Sequence, residues 1–327
     1  YDRLCQVSTA DLQGLGCSSL VLTVPHMKPA HWRCDFVQAK PYLLHSTNNN
    51  MGAAGRVVYR SSAQEWLDEK QALLAAGLEA VSLVPFPMPV AVEQTQLDEI
   101  TGNRLTQRFH YRQGYYDGQE REFRGFGLVL QGDSEVTGDE AQRAGFTAPV
   151  LRKSWFHTGR LPDLPGLDYD RSDSAAQVLG PALLLAPQAD APDETISDAD
   201  GPTLHDMAYT LAGQPLRVEV FALDGNDPLS TKPYSVQQYR YAVRLWQTRS
   251  EHQPYCRMQA LELESIAYTY ERQPDDPMCQ HHICLAWDLY GGLTHEVTVD
   301  YARRKTVDDD PPFSDIHEQR WWRAAHD

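Results

Sequence analysis

The chain has 327 residues, of which 42% are hydrophobic and 23% are charged, a composition typical of a folded globular protein and not of a disordered one. Its 29 basic and 45 acidic residues give a net charge of −16, which argues against binding to a nucleic-acid backbone. The sequence has no run of 18 or more apolar residues, so no membrane span is expected.

Aromatic and turn-forming residues indicate a mainly β protein. The chain has 16 Tyr, 7 Trp, 21 Gly and 21 Pro, which suits many strands and turns better than a helical bundle. The 6 cysteines lack the spacing of a small disulfide scaffold, so most are expected to be reduced and buried. The first residues include no initiator Met and no leader pattern, which suggests a piece of a longer polypeptide.

Residues 1–36 are predicted to be the end of a propeller-like region. A polar, Gly-rich turn beginning at Asp11 leads into the apolar strand Leu20–Val24, a layout typical of a propeller blade. The layout is similar to the FG-GAP-type repeat, whose loop can hold calcium. Only Asp11 remains of the expected carboxylates, and Gln13 stands where a second would be. Because calcium needs six or more oxygens, a plain β-turn is favoured.

Residues 37–158 are predicted to form a first segment of hairpins. A helix over 63–76 begins after Ser61 and Ser62, with Glu65 in a capping box and Gly77 as its end. Its predicted apolar face consists of Trp66, Leu67, Leu73 and Leu74. Strands are expected at 57–59, 90–96 and 150–158, and the prolines of 84–89 exclude an interior strand there.

The centre of this segment is a predicted β-hairpin over residues 107–127. Apolar and charged residues alternate on both arms, and turn residues at Gly114, Asp117 and Gly118 separate them. Gly125 and Gly127 are expected to allow close backbone approach. The structural residues of this corner are Tyr115, Tyr116, Asp117, Gly118, Phe123, Gly125, Phe126 and Gly127.

The second half of the chain is predicted to contain two loops and a second set of strands. Residues 132–145 are predicted to be a polar loop, and 159–202 an irregular acidic and Pro-rich loop. Residues 203–327 are predicted to be a second segment of strands, with a capped helix from Thr203 to Gly213 and a short terminal helix over 314–325. The corner at 287–293 contains Asp288, Tyr290 and Gly291 and resembles the first corner. Two similar corners indicate a sheet built from similar hairpins.

Four groups of residues are candidates for a chemical site. In CQHHIC (279–284), alternate strand residues face opposite ways, so four ligands cannot converge on one zinc ion. Glu120 and Glu122 share a face and form either a carboxylate pair or cross-strand ion pairs, which are favoured. His157 is expected to make a structural hydrogen bond, and the basic run 303–305 to be a solvated turn. We therefore predict no catalytic residue, metal or cofactor.

Several motifs occur in an order typical of one toxin family: KPYLL (40–44), NNNMG (48–52), VPFPMPV (84–90), YDGQEREFRGFG (116–127), KSWFHTG (153–159), PYSVQQYRYAV (233–243), YTYERQPDDP (268–277) and DLYGGLTHEVTVDYARR (288–304). On these motifs the chain resembles the middle region of the B component of insecticidal Tc toxin complexes, the TcaC/SpvB-like family related to Rhs/YD repeats. The resemblance spans roughly residues 5–305.

This resemblance implies a fold and a function. The fold is a large curved antiparallel sheet of hairpins, the wall of an Rhs/YD-like β-shell, with a few short helices and the end of a β-propeller-like region before it. The shell of a secreted virulence complex would enclose the toxic C-terminal segment of a C component, and the propeller region would dock on a pore-forming A component. The alternative is an Rhs-like module that binds carbohydrate or a receptor at a cell surface.

Overall fold

The computed structural model describes residues 5–134, 149–161, 168–188, 191–223 and 228–304. In these ranges the chain forms sixteen strands and two α-helices. Thirteen of the strands are assigned to one sheet and three to another. The predicted mainly β fold, with a large antiparallel sheet and short helices, is confirmed. The chain divides into two compact units, 1–123 with 130–146 and 124–129 with 147–327, and each is described by itself.

The first unit begins with a three-stranded antiparallel sheet, β1 (Gln6–Ala10), β2 (Ser19–Thr23) and β3 (His31–Cys34). In the turn after β1, the Asp11 carboxylate accepts hydrogen bonds from the backbone N–H groups of Leu15 (3.0 Å) and Gly16 (2.6 Å). Both oxygens of Asp11 are therefore engaged by the backbone of the segment that follows it. The propeller-like character of this region stays a prediction.

The rest of the first unit is an antiparallel sheet with the order β4-β5-β6-β7. Its strands are β4 (Ser46–Asn48), β5 (Ala53–Ser61), β6 (Pro89–Asp98) and β7 (Arg104–Asp117). The prolines before β6 lie outside the ladder, as predicted, and Pro89 is its first residue. A further strand, β8 (Glu122–Ser134), divides between the two units.

Helix α1 (Ser62–Ala75) has Ser61 as its N-cap, and Gly77 follows it at φ +72°. Its position agrees with the prediction, but the predicted apolar face is only partly covered. Trp66 and Leu73 are half-buried and Leu67 and Leu74 are exposed, whereas the buried residues of the helix are Ser62, Glu65 and Glu69. The two glutamates accept hydrogen bonds from backbone N–H groups of β7, which needs carboxylates and not leucines on the inner side of the helix.

The second unit is a sheet with the antiparallel order β9-β12-β13-β14-β15-β16, and β10 pairs with β13 in parallel. Its elements are β9 (Val150–Phe156), β10 (Leu183–Ala186), β11 (Glu194–Thr195), α2 (Gly201–Leu211), β12 (Pro215–Ala222), a 3-10 turn (Pro228–Thr231), β13 (Ser235–Gln247), β14 (Arg257–Thr269), β15 (Met278–Trp287) and β16 (Leu293–Tyr301). Helix α2 is capped by Asp200 and not by the predicted Thr203, whose backbone N–H donates to the Asp200 carboxylate.

Strand β13 carries the core of the second unit on both of its faces. Tyr241 and Val243 pack with Leu184 of β10 and with residues of α2. On the opposite face, by alternation along the strand, Val236 packs with neighbouring residues of β14 and with the segment before β10. A strand covered on both faces needs two layers, and the helix and the irregular segment supply them.

The segment 159–202, predicted to be irregular, contains β10, β11 and the start of α2. Its residues 168–182, here called the covering segment, lie over one face of β12, β13 and β14. The predicted boundaries at 36, 158 and 202 stay predictions. Most of the predicted loop 132–145 and the predicted helix 314–325 lie outside the described residues.

Neither described helix has the length and apolar character needed to cross a bilayer. All six cysteines are free thiols, and Cys284 alone among them is buried.

Candidate functional site

The first corner is held by Asp117, which is 3% exposed. Its Oδ1 accepts hydrogen bonds from the backbone N–H groups of Gln119 (2.9 Å) and Glu120 (3.1 Å). Tyr115, Tyr116 and Asp117 are the last residues of β7, and Gly118 opens the turn. The predicted turn residue Gly114 lies inside β7, so the turn begins later than the sequence indicates.

The return arm of this hairpin is β8, which contains Phe123, Gly125, Phe126 and Gly127. Gly125 has φ +98°, and no atom of the described residues outside its chain neighbours lies within 4 Å of the position that a Cβ would occupy there. The expectation of close backbone approach at Gly125 is therefore wrong. Glycine is favoured there because its backbone is in a conformation that L side chains rarely adopt.

The second corner, between β15 and β16, uses the same carboxylate contact. Oδ1 of Asp288 accepts hydrogen bonds from the backbone N–H groups of Tyr290 (2.8 Å) and Gly292 (2.7 Å). Gly291 has φ +87°, and a Cβ at this position would lie 2.3 Å from Nε2 of Gln259. Each corner thus contains an aspartate, Asp117 or Asp288, whose carboxylate accepts hydrogen bonds from the backbone of its own turn.

A buried arginine attaches the second corner to β13. Arg244 is 3% exposed, and it donates through Nη1 to the carbonyl of Asp288 (2.6 Å) and through Nη2 to that of Trp287 (3.2 Å). Its Nε donates to Oδ2 of Asp193 at 2.6 Å. One guanidinium therefore joins a central strand, the corner and the segment after β10, and it is charge-balanced by Asp193.

Four neighbouring strands are connected by a row of polar side chains, here called the polar ladder. Nη1 of Arg240 donates to Oε1 of Glu264 at 2.7 Å. Oε2 of Glu264 lies 2.8 Å from Nε2 of His281, and Nδ1 of His281 lies 3.2 Å from the hydroxyl of Tyr301. Each member lies on a different strand, from β13 to β16, so the ladder fixes their register.

The CQHHIC motif lies on β15, and its residues face both sides of the sheet as predicted. His281 belongs to the polar ladder on one side. His282 faces the other side, where its Nε2 lies 2.9 Å from Oε2 of Glu296. The described residues contain no group of three or more His, Cys, Asp or Glu that is arranged to hold a metal ion.

The remaining candidates occupy structural positions. Glu120 lies in the turn and Glu122 begins β8, so they do not share a face of one extended arm. The buried His157 ring contacts the Tyr241 ring edge-on, with ring centroids 5.8 Å apart.

Both described arginines of the basic run at 303–305 form ion pairs, and Arg304 is exposed to solvent. Arg303 pairs with Asp276 at 2.8 Å, and Arg304 pairs with Asp173, also at 2.8 Å. Lys305 lies outside the described residues.

Sequence analysis missed the buried pair Arg217 and Glu219 of β12. Their Nε and Oε1 atoms are 2.6 Å apart, and Glu219 is 0% exposed. Burial raises the pKa of the Glu219 carboxyl, and the nearby Arg217 opposes that rise. The signal was present, because two charges at positions i and i+2 of an apolar strand point to the same face.

Comparison with known proteins identifies the family. Residues 1–159 match the model of the insecticide toxin TcdB middle/N-terminal region, and residues 206–327 match that of the TcdB middle/C-terminal region. No curated protein matches the chain.

Solved structures match nearly the whole chain. A chain in the crystal structure of TcdB2-TccC3-TEV is 38% identical over 96% of this chain, with a TM-score of 0.84. One in the crystal structure of TcdB2-TccC3 is 38% identical over 96%, with a TM-score of 0.82. One in the Photorhabdus luminescens Tc holotoxin pore, with a substitution in TccC3, is 37% identical over 94%, with a TM-score of 0.79.

The chain spans 14% of the length of the first of these matched chains, 15% of the second and 14% of the third. It is thus similar to one part of much longer proteins. The two family models together match most of its residues, and they describe adjacent parts of one toxin. The chain belongs to the family of insecticide toxin TcdB middle regions and corresponds to the middle of a Tc toxin B component.

Proposed function

We propose that this segment forms part of the wall of a hollow β-shell in a Tc toxin B component. The shell encloses the toxic C-terminal segment of a C component before that segment passes through the pore of an A component. The observation that carries the proposal is the 38% identity over 96% of the chain to a protein solved as TcdB2-TccC3, a B–C pair by its name.

The geometry of the second unit supports a wall. Its strands are long, with thirteen residues each in β13 and β14, and the polar ladder joins four of them side by side. The side chains that seemed suited to chemistry are engaged in strand pairing and in turns. A sheet stabilised in this way resists opening along its whole width, which a container requires.

Strand β16 supports continuation of the wall beyond this segment. It is nine residues long, mostly exposed, and last in the strand order of the described residues. The backbone N–H and C=O groups of such an edge pair with other strands unless the edge is covered. A further strand of the same B component would supply hydrogen-bond partners for these groups.

The role is structural and not enzymatic. The matched proteins are parts of toxin complexes, and the toxic activity belongs to the C component in this proposal. The match to a Tc holotoxin pore supports an A component as the second partner and a secreted, extracellular complex as the setting.

The test uses the complete B component that contains this segment, co-expressed with its C component. We expect electron microscopy to show a hollow particle, and we expect the C-terminal segment of the C component to resist added protease. A solid particle, or a C-terminal segment cleaved as fast as in the isolated C component, would contradict the proposal.

A matched pair of variants links the result to this segment. Glu264→Ala removes the centre of the polar ladder and is expected to speed cleavage of the enclosed segment. Gln280→Ala removes an exposed contact to Asp300 on neighbouring strands and is expected to leave protection unchanged. Equal cleavage rates in the two variants would show that the ladder does not maintain the enclosure.

A further inference from the structure

Strand β7 extends beyond its pairing with β6. The strand β6 pairs with residues 104–108 of β7, whereas β7 continues to Asp117. Past the paired residues, the backbone N–H groups of Tyr111 and Gln113 donate to side-chain carboxylates of α1. Alternate residues of a strand direct their N–H groups to the same edge. Helix α1 therefore occupies an edge of β7 at which another strand could pair.

The spacing of the two carboxylates matches the spacing of the two N–H groups. Glu65 and Glu69 are four residues apart, which separates them by about 6 Å along the helix axis. Two alternate residues of a strand are about 7 Å apart. Oε2 of Glu65 accepts from Tyr111 at 3.2 Å, and Oε1 of Glu69 accepts from Gln113 at 3.0 Å. The helix thus supplies acceptors in the place of the carbonyl groups of a strand.

Helix α1 belongs to one excursion of the chain between β5 and β6, residues 62–88, here called the α1 segment. Its two ends are adjacent, because Ser61 of β5 pairs with Pro89 of β6. The part after the helix also contacts β7, where the carbonyl of Leu83 accepts from the backbone N–H of Tyr116 at 3.0 Å. The α1 segment is therefore attached to the sheet at one base and lies along the edge of β7.

The inner side of α1 is polar. Its buried residues are Ser62, Glu65 and Glu69, whereas Leu67 and Leu74 are 58% and 57% exposed. Burial of apolar surface is the dominant favourable term when most elements pack together. The contact between α1 and β7 therefore depends on the two carboxylates more than ordinary helix packing depends on charged groups.

The stretch of β7 beside the α1 segment has the composition of a strand that pairs readily. Residues 109–116, FHYRQGYY, include four Phe or Tyr residues, which have a high strand propensity, and no proline. An uncovered edge of this kind is a template for pairing with another molecule. Every copy of the chain carries the same edge, and two such edges can pair in antiparallel orientation.

We propose that the α1 segment blocks the edge of β7 from pairing with the same edge of a second copy of this chain. Glu65 and Glu69 are the residues that keep the block in place, because they accept from the N–H groups that a strand would otherwise use. This inference concerns association between copies and is independent of the shell function.

The test uses the purified complete B component that contains this segment, light scattering, and hydrogen–deuterium exchange of a peptide covering residues 109–116. The variant Glu65→Ala with Glu69→Ala removes both acceptors, whereas Glu65→Gln with Glu69→Gln keeps an acceptor oxygen at each position. We expect the alanine variant to exchange faster in this peptide when dilute. As its concentration rises, its mass should double and the peptide should regain protection. The glutamine variant should keep the mass and exchange of the wild type.

The position of the protection separates this contact from other association. Pairing through β16 would protect residues 293–301 instead and would be the same in all three proteins. Glu69→Ala alone replaces the double alanine variant if the latter does not fold, and it should associate in the same way at higher concentration. A folded alanine variant that keeps the wild-type mass at every concentration, or exchanges like the wild type at residues 109–116, would overturn the proposal. Equal association of the alanine and glutamine variants would do the same.

Discussion

Nε2 of His281 lies 2.8 Å from Oε2 of Glu264, and this contact joins β15 to β14 inside the sheet. With Nε2 protonated, the ring donates to the carboxylate, and Nδ1 is free to accept from the hydroxyl of Tyr301 at 3.2 Å. Both ring nitrogens are therefore used. The contact makes the histidine part of the fold and removes it from the list of metal ligands.

Replacing His281 by alanine is expected to destabilise the protein by about 1–3 kcal/mol, because the half-buried Glu264 loses a hydrogen-bond donor. Urea denaturation followed by circular dichroism measures the change. Gln280→Ala, at the adjacent and exposed position, should change the unfolding midpoint little. An equal loss in both variants would contradict the role of the ladder.

The pair Arg217 and Glu219 gives a second prediction. Glu219→Ala should cost about 3–5 kcal/mol, because it leaves the buried guanidinium of Arg217 without its charged partner. The double variant Arg217→Met with Glu219→Leu should recover much of that loss, since neither charge is then buried. Denaturant titration of the three proteins measures this, and a double variant no more stable than Glu219→Ala would count against it.

Helix α1 gives a third prediction. Glu69→Ala leaves the backbone N–H of Gln113 without its carboxylate and should cost about 1–3 kcal/mol. Leu67→Ala, on the exposed side of the same helix, should cost less than about 0.5 kcal/mol. Thermal unfolding of both variants is the measurement. A larger loss from the leucine would mean that the helix packs through its apolar side.

The contacts of Asp206 in α2 lead us to expect that the stability of the fold falls at acidic pH. Burial alone would raise its pKa, but hydrogen bonds from Arg249 and from the backbone of Cys256 lower the pKa below the ordinary value of 3.8. A carboxyl with a depressed pKa stabilises the fold above its unfolded pKa, and that stabilisation is lost as the pH falls below about 4.

Asp206→Asn should therefore lower stability at neutral pH and flatten the decline between roughly pH 4 and pH 2. The measurement is the unfolding midpoint across this pH range for three proteins: the wild type, Asp206→Asn and the uncharged control Gln280→Ala. It tests whether Asp206 causes the decline in stability. An acid decline in Asp206→Asn as steep as in the control would refute the assignment.

Local patterns were enough to predict much of the fold. Alternation along β13 placed Tyr241 and Val243 on one face, and both lie in the same core cluster. The serines before α1 and the glycine after it gave the position of the helix. Alternation also placed Cys279 and His282 on opposite faces of β15, because strand periodicity needs no knowledge of neighbours.

What the sequence did not predict depends on register and on distant partners. The apolar pattern of α1 predicts an inner face of Trp66, Leu67, Leu73 and Leu74, but the buried Glu69 accepts from the backbone of Gln113, 44 residues away. The polar ladder likewise needs the exact pairing of four strands, since a shift of one residue would move His281 to the opposite face. No local pattern carries that information.

The covering segment is held through the Asp173 carboxylate, which pairs with Arg304, and also through main-chain atoms. The hydroxyl of Tyr268 accepts from the backbone N–H of Gln177, and Nε2 of Gln238 donates to the Gln177 carbonyl. Nε of Arg240 donates to the carbonyl of Pro181, so these contacts depend on atoms that almost every amino acid possesses.

The side chains of Tyr268, Gln238 and Arg240, which bind the covering segment, belong to the part of the chain that matches the TcdB middle/C-terminal model. Residues 160–205 match neither family model. Substitutions at positions 177 and 181 keep the main-chain N–H and carbonyl groups that form these hydrogen bonds. The side chains at these two positions can therefore change while the hydrogen bonds to Tyr268, Gln238 and Arg240 persist.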